Sequence, residues 1–552
     1  MIKQRFLFSI LSVLILSGYR VPLNLPVSLS GSYGELRSTH FHSGVDFRVG
    51  GVVGAPVYAA REGYISRVTV SPTGYGNAVY INHPDGKTTL YGHLHDFADE
   101  IQEWVRSEQY KRKSFSVFLS PPETLFIVNK GDFIGRAGNS GSSGGPHLHF
   151  EMRETESQQP VNPLKYADLS VVDNIAPVIQ RVNFYSISKY QTLPEKSLLQ
   201  SFTGVTNNTV SVTDTFYIAV AGIDRQNNTN ARLAVYYYNY YLNGELIFSF
   251  SPDSIQSNKG RYINSLVEYS VKENTGQSMV KSWVEPGSGL TQSIYSVNDG
   301  LFIIKDDNIH EVKVELIDEH YNTTIRKFRV RRRESTGVKT DYSLVDSTMI
   351  MPWYLPNRFI SEGVRLFIPT GSLYSTILFD FGYTYSDGNK IVQLHDRSTP
   401  LHYPVRLAIE YTMPDEFKEK ALIVQVDKNG RYSSAGGRYY RGWIETSISS
   451  FGNFTLSLDT IAPVIVPGFT DGQDLRGRDN IRFTISDDLS GISNYEVYID
   501  GKWILTSYDP KNRRLITELK DDVIRRGGKH ILEISVTDNR ANTNKLKSTF
   551  IW

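Results

Sequence analysis

His147-Leu148-His149-Phe150-Glu151 reads as a β-strand with two unlike faces. A period of two puts His147, His149 and Glu151 on one side and Leu148 and Phe150 on the other. Two imidazoles then face a site while two apolar side chains enter a core. The loop ahead of it, Gly138-Asn139-Ser140-Gly141-Ser142-Ser143-Gly144-Gly145-Pro146, lets another backbone approach closely. It lacks the Lys-Ser/Thr ending of a phosphate loop. Upstream, Tyr91-Gly92-His93-Leu94-His95 repeats the pattern, and alternation puts His93 and His95 on one strand face. His42-Ser43-Gly44-Val45-Asp46 differs. A His and an Asp four apart would share a helix face, but Gly44, Val45 and the strand-like residues after them argue for extended chain. Fully extended, four residues span about 13 Å. That is too far for two ligands of one metal, so the chain has to bend, and Ser43-Gly44 permits it.

Seven of the 12 histidines fall between residues 40 and 149. Such a concentration asks for a metal or for acid–base chemistry. There is no cysteine, which excludes disulfides, thiolate metal sites, a Cys nucleophile and a lipid-modified N-terminal Cys. Lys+Arg is 59 and Asp+Glu is 58, so the basic excess of a nucleic-acid partner is missing. At 552 residues the chain is too long for one core and suits three or four domains.

Lys3 and Arg5 precede a short apolar run, residues 6–16, and then Ser17 and Gly18. That is the layout of a signal peptide over residues 1–18, and the run falls short of the roughly 20 residues needed to span a bilayer. It predicts export to the periplasm or cell envelope, with no membrane association once the signal is removed. Residues 19–170 read as a compact antiparallel β domain. Within it the helical spacing of Phe97, Ile101, Trp104 and Val105 predicts an inserted helix at about 96–113. Farther on, Asp173-Asn174-Ile175-Ala176-Pro177-Val178-Ile179 recurs as Asp459-Thr460-Ile461-Ala462-Pro463-Val464-Ile465. Both copies end on a His followed eight residues later by an Asp, His310 with Asp318 and His530 with Asp538. Residues 459–552 have the size of an immunoglobulin-like sandwich, residues 173–335 read as the same unit with an insertion, and 340–458 as a third β-sandwich.

Taken in order, the motifs resemble the lysostaphin-type (LytM-type) zinc endopeptidases of bacterial cell walls. They are His42…Asp46, Gly54-Ala55-Pro56-Val57-Tyr58-Ala59, Gly74-Tyr75-Gly76-Asn77, Tyr91-Gly92-His93-Leu94, Lys130-Gly131-Asp132, and His147–Glu151 before Asn162-Pro163. The resemblance covers roughly residues 30–166. It implies a mainly β chain, with an N-terminal LytM-type peptidase domain followed by Ig-like β-sandwich domains. It further implies one Zn2+ on His42, Asp46 and His149, with His93 and His147 as catalytic histidines. Which of the two is the general base stays open. Asn77, Glu151 and His95 are candidates for substrate binding or for orienting a ligand. The residues following His95 run longer than the family usually has, so the inserted helix reads either as a lid or as a brace. The activity implied is hydrolysis of peptide cross-links in peptidoglycan by metal-activated water. The alternatives are a non-catalytic LytM-type regulator or binding protein of the envelope, and an adhesion protein whose sandwiches are its function. The sandwiches read as spacers or as the contact for a wall or envelope protein partner.

Overall fold

The computed structural model describes residues 18–166, 171–190, 193–227, 229–333, 349–386 and 388–552. The signal-like residues 1–17 and the junction 334–348 lie outside them. The chain is mainly β, as expected. Its first domain is an antiparallel 11-stranded sheet. The main path runs Leu29–Gly31, Val45–Arg48, His147–Glu154, Lys87–Phe97, Asn77–Asn82, Gly63–Val70 and Val117–Leu119. Alternation buries Val45, Phe47, Leu148, Phe150, Val79 and Ile81 in one core. The opposite side of the same strands is thereby free to carry polar groups.

Alternation fails at one place that matters. His93 has a left-handed backbone (φ 59°). The pairing of Asn77–Asn82 with Lys87–Phe97 slips there: Val79 faces Tyr91, and Asn77 faces Leu94. Three residues span what two span on the partner strand, which is a β-bulge. Tyr91 and Leu94, three apart, both enter the core. The face shared by His93 and His95 in the sequence reading is therefore broken, and His95 ends exposed.

The inserted helix is Asp99–Arg112. It starts later than expected because the strand before it runs on to Phe97. Asp99 and Glu100 in its first turn and Lys111 and Arg112 in its last suit the helix dipole. Ile101 and Val105 are buried, and Trp104 meets Phe126 edge to face at 5.6 Å.

Each later domain packs two sheets on one apolar core. Five- and six-stranded sheets enclose the first of these cores, two five-stranded sheets the next, and four- and five-stranded sheets the last. The internal repeat is structural as well. In both copies a two- or three-residue strand pairs in parallel with the final strand, Val210–Val212 with Thr323–Arg332 and Gln473–Asp474 with Thr543–Ile551. The insertion in the first copy covers the second face of its five-stranded sheet, where Tyr185, Tyr217, Met279 and Trp283 form a small extra core.

The domains are joined by more than chain. Leu233 and Tyr236 of the second domain lie in the core of the first, and Phe41 of the first lies in the core of the second. The last domain folds back on the first. Arg106 pairs with Glu518 and Asp522, and Tyr110 meets Trp503 edge to face at 5.5 Å. Lys511 Nζ donates to the carbonyls of Asn139 and Ser143.

Candidate metal centre

Three neighbouring strands assemble the site. On one side of the His147–Glu154 strand, His149 stands opposite Asp46; on the other it stands opposite Gly92. With no side chain on Gly92, the His149 ring lies against it. His42 comes from the loop just ahead of Val45–Arg48. Gly44 lets that loop in for a reason other than bending: a Cβ there would run into the Phe150 carbonyl and the Glu151 side chain.

Hydrogen bonds to carbonyls assign the imidazole protons, because a carbonyl only accepts. His42 Nδ1–H donates to Ser32 O at 2.8 Å. His149 Nε2–H donates to Glu151 Oε1 at 2.8 Å. His42 Nε2 and His149 Nδ1 are left facing each other at 3.1 Å, with Asp46 Oδ1 at 3.0 and 2.8 Å from them. All three groups are buried. Two nitrogen lone pairs and a carboxylate oxygen that converge this closely repel one another unless a cation lies between them. A tetrahedral zinc with bonds of about 2.0–2.2 Å fits two such imidazoles and one carboxylate, with a fourth position open.

Without a metal, a proton takes that place. Burial opposes charge on His149, yet its hydrogen bonds to Asp46 and Glu151 raise its pKa to about 9. Burial likewise opposes the Asp46 carboxylate, but His42, His147 and His149 hold it far below the usual range. Arg37 Nη2 donates to the outer oxygen of Asp46 at 2.8 Å, leaving Oδ1 to the cluster.

His93 and His147 flank this trio, with ring centroids 4.9 Å apart. His93 Nδ1–H donates to Ser140 O and His147 Nδ1–H to Gly145 O, both at 2.8 Å. The Gly/Ser loop thus fixes both rings through their Nδ1 atoms. Burial, reinforced by His149 and His147, pushes His93 down to about 3. His147 Nε2 lies 3.4 Å from Asp46 Oδ1.

Glu151, fully buried, orients His149 through Oε1. It is held in turn by Tyr75 Oη at 2.7 Å and by Arg153 Nε at 2.7 Å. Burial opposes its ionisation, but Arg153 and His149 keep its carboxyl below the ordinary range. Arg37 and Arg153 were not singled out in the sequence, and Tyr75 stood there in a motif without a role. Arg153 was within reach, since the period of two that links His147, His149 and Glu151 continues to it. Arg37 has no such signal. His95 and Asn77 stand outside the trio. Asn77 Nδ2 donates to His95 O at 3.2 Å, and both line a cavity of about 670 Å³ between the first and last domains, with Ser140, Tyr508 and Lys511.

The sequence profile of peptidase family M23 matches residues 40–110 and 126–163, and that of a Zu5-like domain matches 348–459. A DD-carboxypeptidase/endopeptidase Mpg of Neisseria meningitidis is 34% identical over 150 residues, 26% of this chain and 28% of that protein. The peptidoglycan DD-endopeptidase ShyB of Vibrio cholerae is 32% identical over 135 residues, 24% of this chain and 25% of its own. The chain thus spans about a quarter of the length of these curated relatives. Among solved structures, the catalytic domain of the prophage-encoded M23 protein EnpA from Enterococcus faecalis is similar at 26% identity and a TM-score of 0.20. That match covers 27% of this chain and 97% of EnpA's domain. The chain therefore contains an M23 (LytM/lysostaphin-type) peptidase-family domain, with a Zu5-like domain farther along.

Proposed function

We propose that the first domain is a zinc endopeptidase that hydrolyses peptide cross-links of peptidoglycan outside the cytoplasmic membrane. The observation that carries this reading is the convergence of His42 Nε2, His149 Nδ1 and Asp46 Oδ1, three buried groups able to bind a metal, on one point. The names of the relatives, a DD-carboxypeptidase/endopeptidase and a peptidoglycan DD-endopeptidase, favour a cross-link to D-Ala as the bond. The signal-like start of the chain supports export.

Zinc held by these three residues supplies a Lewis acid that polarises the scissile carbonyl and lowers the pKa of water from 15.7 toward about 7. The chain supplies the proton path. His147 Nε2, beside Asp46, accepts the proton of the attacking water and returns it to the leaving amine. Asp46 steadies the imidazolium formed in between. His93 stays neutral, its ring fixed by the Ser140 carbonyl. Glu151 and Arg37 keep the ligand atoms aimed.

The test pairs zinc content with muropeptide release from purified cell walls, wild type beside His147→Ala. The expected result is one zinc per chain in both proteins, with release from the variant down by about 10²–10⁴-fold. Wild-type protein that binds no zinc would end this reading.

A further inference from the structure

The internal repeat carries a second set of acidic groups that the peptidase site does not use. In the second domain the carboxylates of Asp173, Asp224 and Asp318 lie within 4.8 Å of one another; in the last domain those of Asp459, Asp487 and Asp538 do the same. The two triads are built alike. Asp173 and Asp459 each stand five residues ahead of their domain's first strand, Val178–Tyr190 and Val464–Pro467. Asp224 and Asp487 each directly follow the strand paired with it, Thr215–Ile223 and Asn480–Ser486. Asp318 and Asp538 each stand at the turn between the last two strands. In both turns an Asn four residues on donates to the Asp side chain and to the carbonyl of the first Asp: Asn322 to Asp318 and Asp173, Asn542 to Asp538 and Asp459.

Two buried carboxylates and one half-buried one at such distances repel strongly and need a counter-charge. Among the described ion pairs, neither triad has a Lys or Arg. Asp173 has only His320, at 3.9 Å, and Arg540, near Asp459 and Asp538, forms no pair with them. The first triad also holds an orphan, and a second stands beside the other triad. Asp224 is 5% exposed, and its Oδ1 is buried without a hydrogen-bond partner. Ser490 is 8% exposed; its N–H donates to Asp459 Oδ2, while its Oγ is buried without a partner. Unsatisfied oxygens at a cluster of carboxylates are what an oxygen-binding cation would satisfy.

We propose that the two aspartate triads each hold one calcium ion. The donors are oxygens alone, which suits a hard cation and not zinc. Calcium takes six to eight oxygens in loose geometry, so carboxylates supplemented by carbonyls and water serve it, whereas magnesium demands a near-ideal octahedron. The placement gives the ions a task. Each triad ties the segment that leads into its domain to two of that domain's strand ends. Asp459 is also bonded to the preceding domain, its N–H donating to Lys420 O at 2.9 Å. Calcium therefore stiffens the joints ahead of the second and last domains.

The test uses the full-length, zinc-loaded protein in equilibrium dialysis against labelled calcium at millimolar free concentration, the range of extracellular calcium modules. Two ions per chain are expected for wild type, one for Asp224→Asn and none for Asp224→Asn combined with Asp487→Asn. Calcium should also raise the unfolding temperature of wild type and not of the double variant. Fewer than two ions in wild type, or undiminished binding by the double variant, would overturn the proposal. So would displacement of calcium by an equal concentration of magnesium. Should a variant fail to fold by circular dichroism, the wild-type count and the magnesium competition decide alone.

Discussion

Glu151 has no exposed surface and holds His149, Tyr75 and Arg153 at once. Exchanging it for Gln keeps the shape but weakens the hold on the His149 Nε2 proton and leaves Arg153 short of a charge partner. Glu151→Gln should therefore lower zinc affinity by about 10–100-fold, read by competition with a chelating dye. Another buried carboxylate sets a pH limit away from the site. Burial opposes ionised Glu268, but Lys196 and Lys281 bring its pKa down to about 2 from an ordinary 4.5. The unfolded chain then takes up this proton first as the pH falls. The stability that Glu268 contributes, of order 3 kcal/mol, is whole above about pH 4.5 and gone near pH 2. Acid unfolding of Glu268→Gln should lack that part of the slope. At this scale the sequence was informative where motifs are local: His42, Asp46 and His149 come from two short patterns, and the structure brings them together. His95 misled because a bulge depends on the partner strand, which no periodicity within residues 87–97 reveals.

The Asp99–Arg112 helix was legible from the spacing of its apolar residues, since an amphipathic helix writes its core face into its own sequence. What it meets was not legible, because Glu518, Asp522 and Trp503 lie some 400 positions away. It reaches them with Arg106 and Tyr110, so its role in this fold is that of a brace between the first and last domains. The ion pairs are partly exposed and contribute at most about 1 kcal/mol each; the Tyr110–Trp503 contact adds about 0.5–1.5 kcal/mol. Arg106→Ala with Tyr110→Ala should make the last domain easier to clip in limited proteolysis, with the zinc content unchanged. Equal clipping rates would show that the brace does not hold. Within the same helix Val105→Ala, which opens a void in the main core, should cost roughly 1–3 kcal/mol of stability in denaturant unfolding.

For the molecule as a whole, domain limits drawn from sequence are not limits of folding. The repeat and the two-sheet architecture could be read from recurring motifs and strand patterns. Shared cores could not, since single residues such as Leu233, Tyr236 and Phe41 carry no mark of the domain they enter. A fragment of residues 19–170 would bare Phe41 and lose two side chains from its own core. It should unfold at a lower temperature than the first domain within the full chain, whereas a fragment of residues 18–333, which keeps the shared cores and lacks only the contacts from the last domain, should lose less. Calorimetry on the two fragments checks this.

Lys511, 372 positions after Asn139, grips the carbonyls of Asn139 and Ser143, on either side of Ser140 and just ahead of Gly145. Ser140 and Gly145 are the residues whose carbonyls set His93 and His147. A ribosome makes the histidine loop long before it makes that lysine. Until that lysine is made the loop stands unclamped, and a part of the site made early is finished by one made 372 positions later.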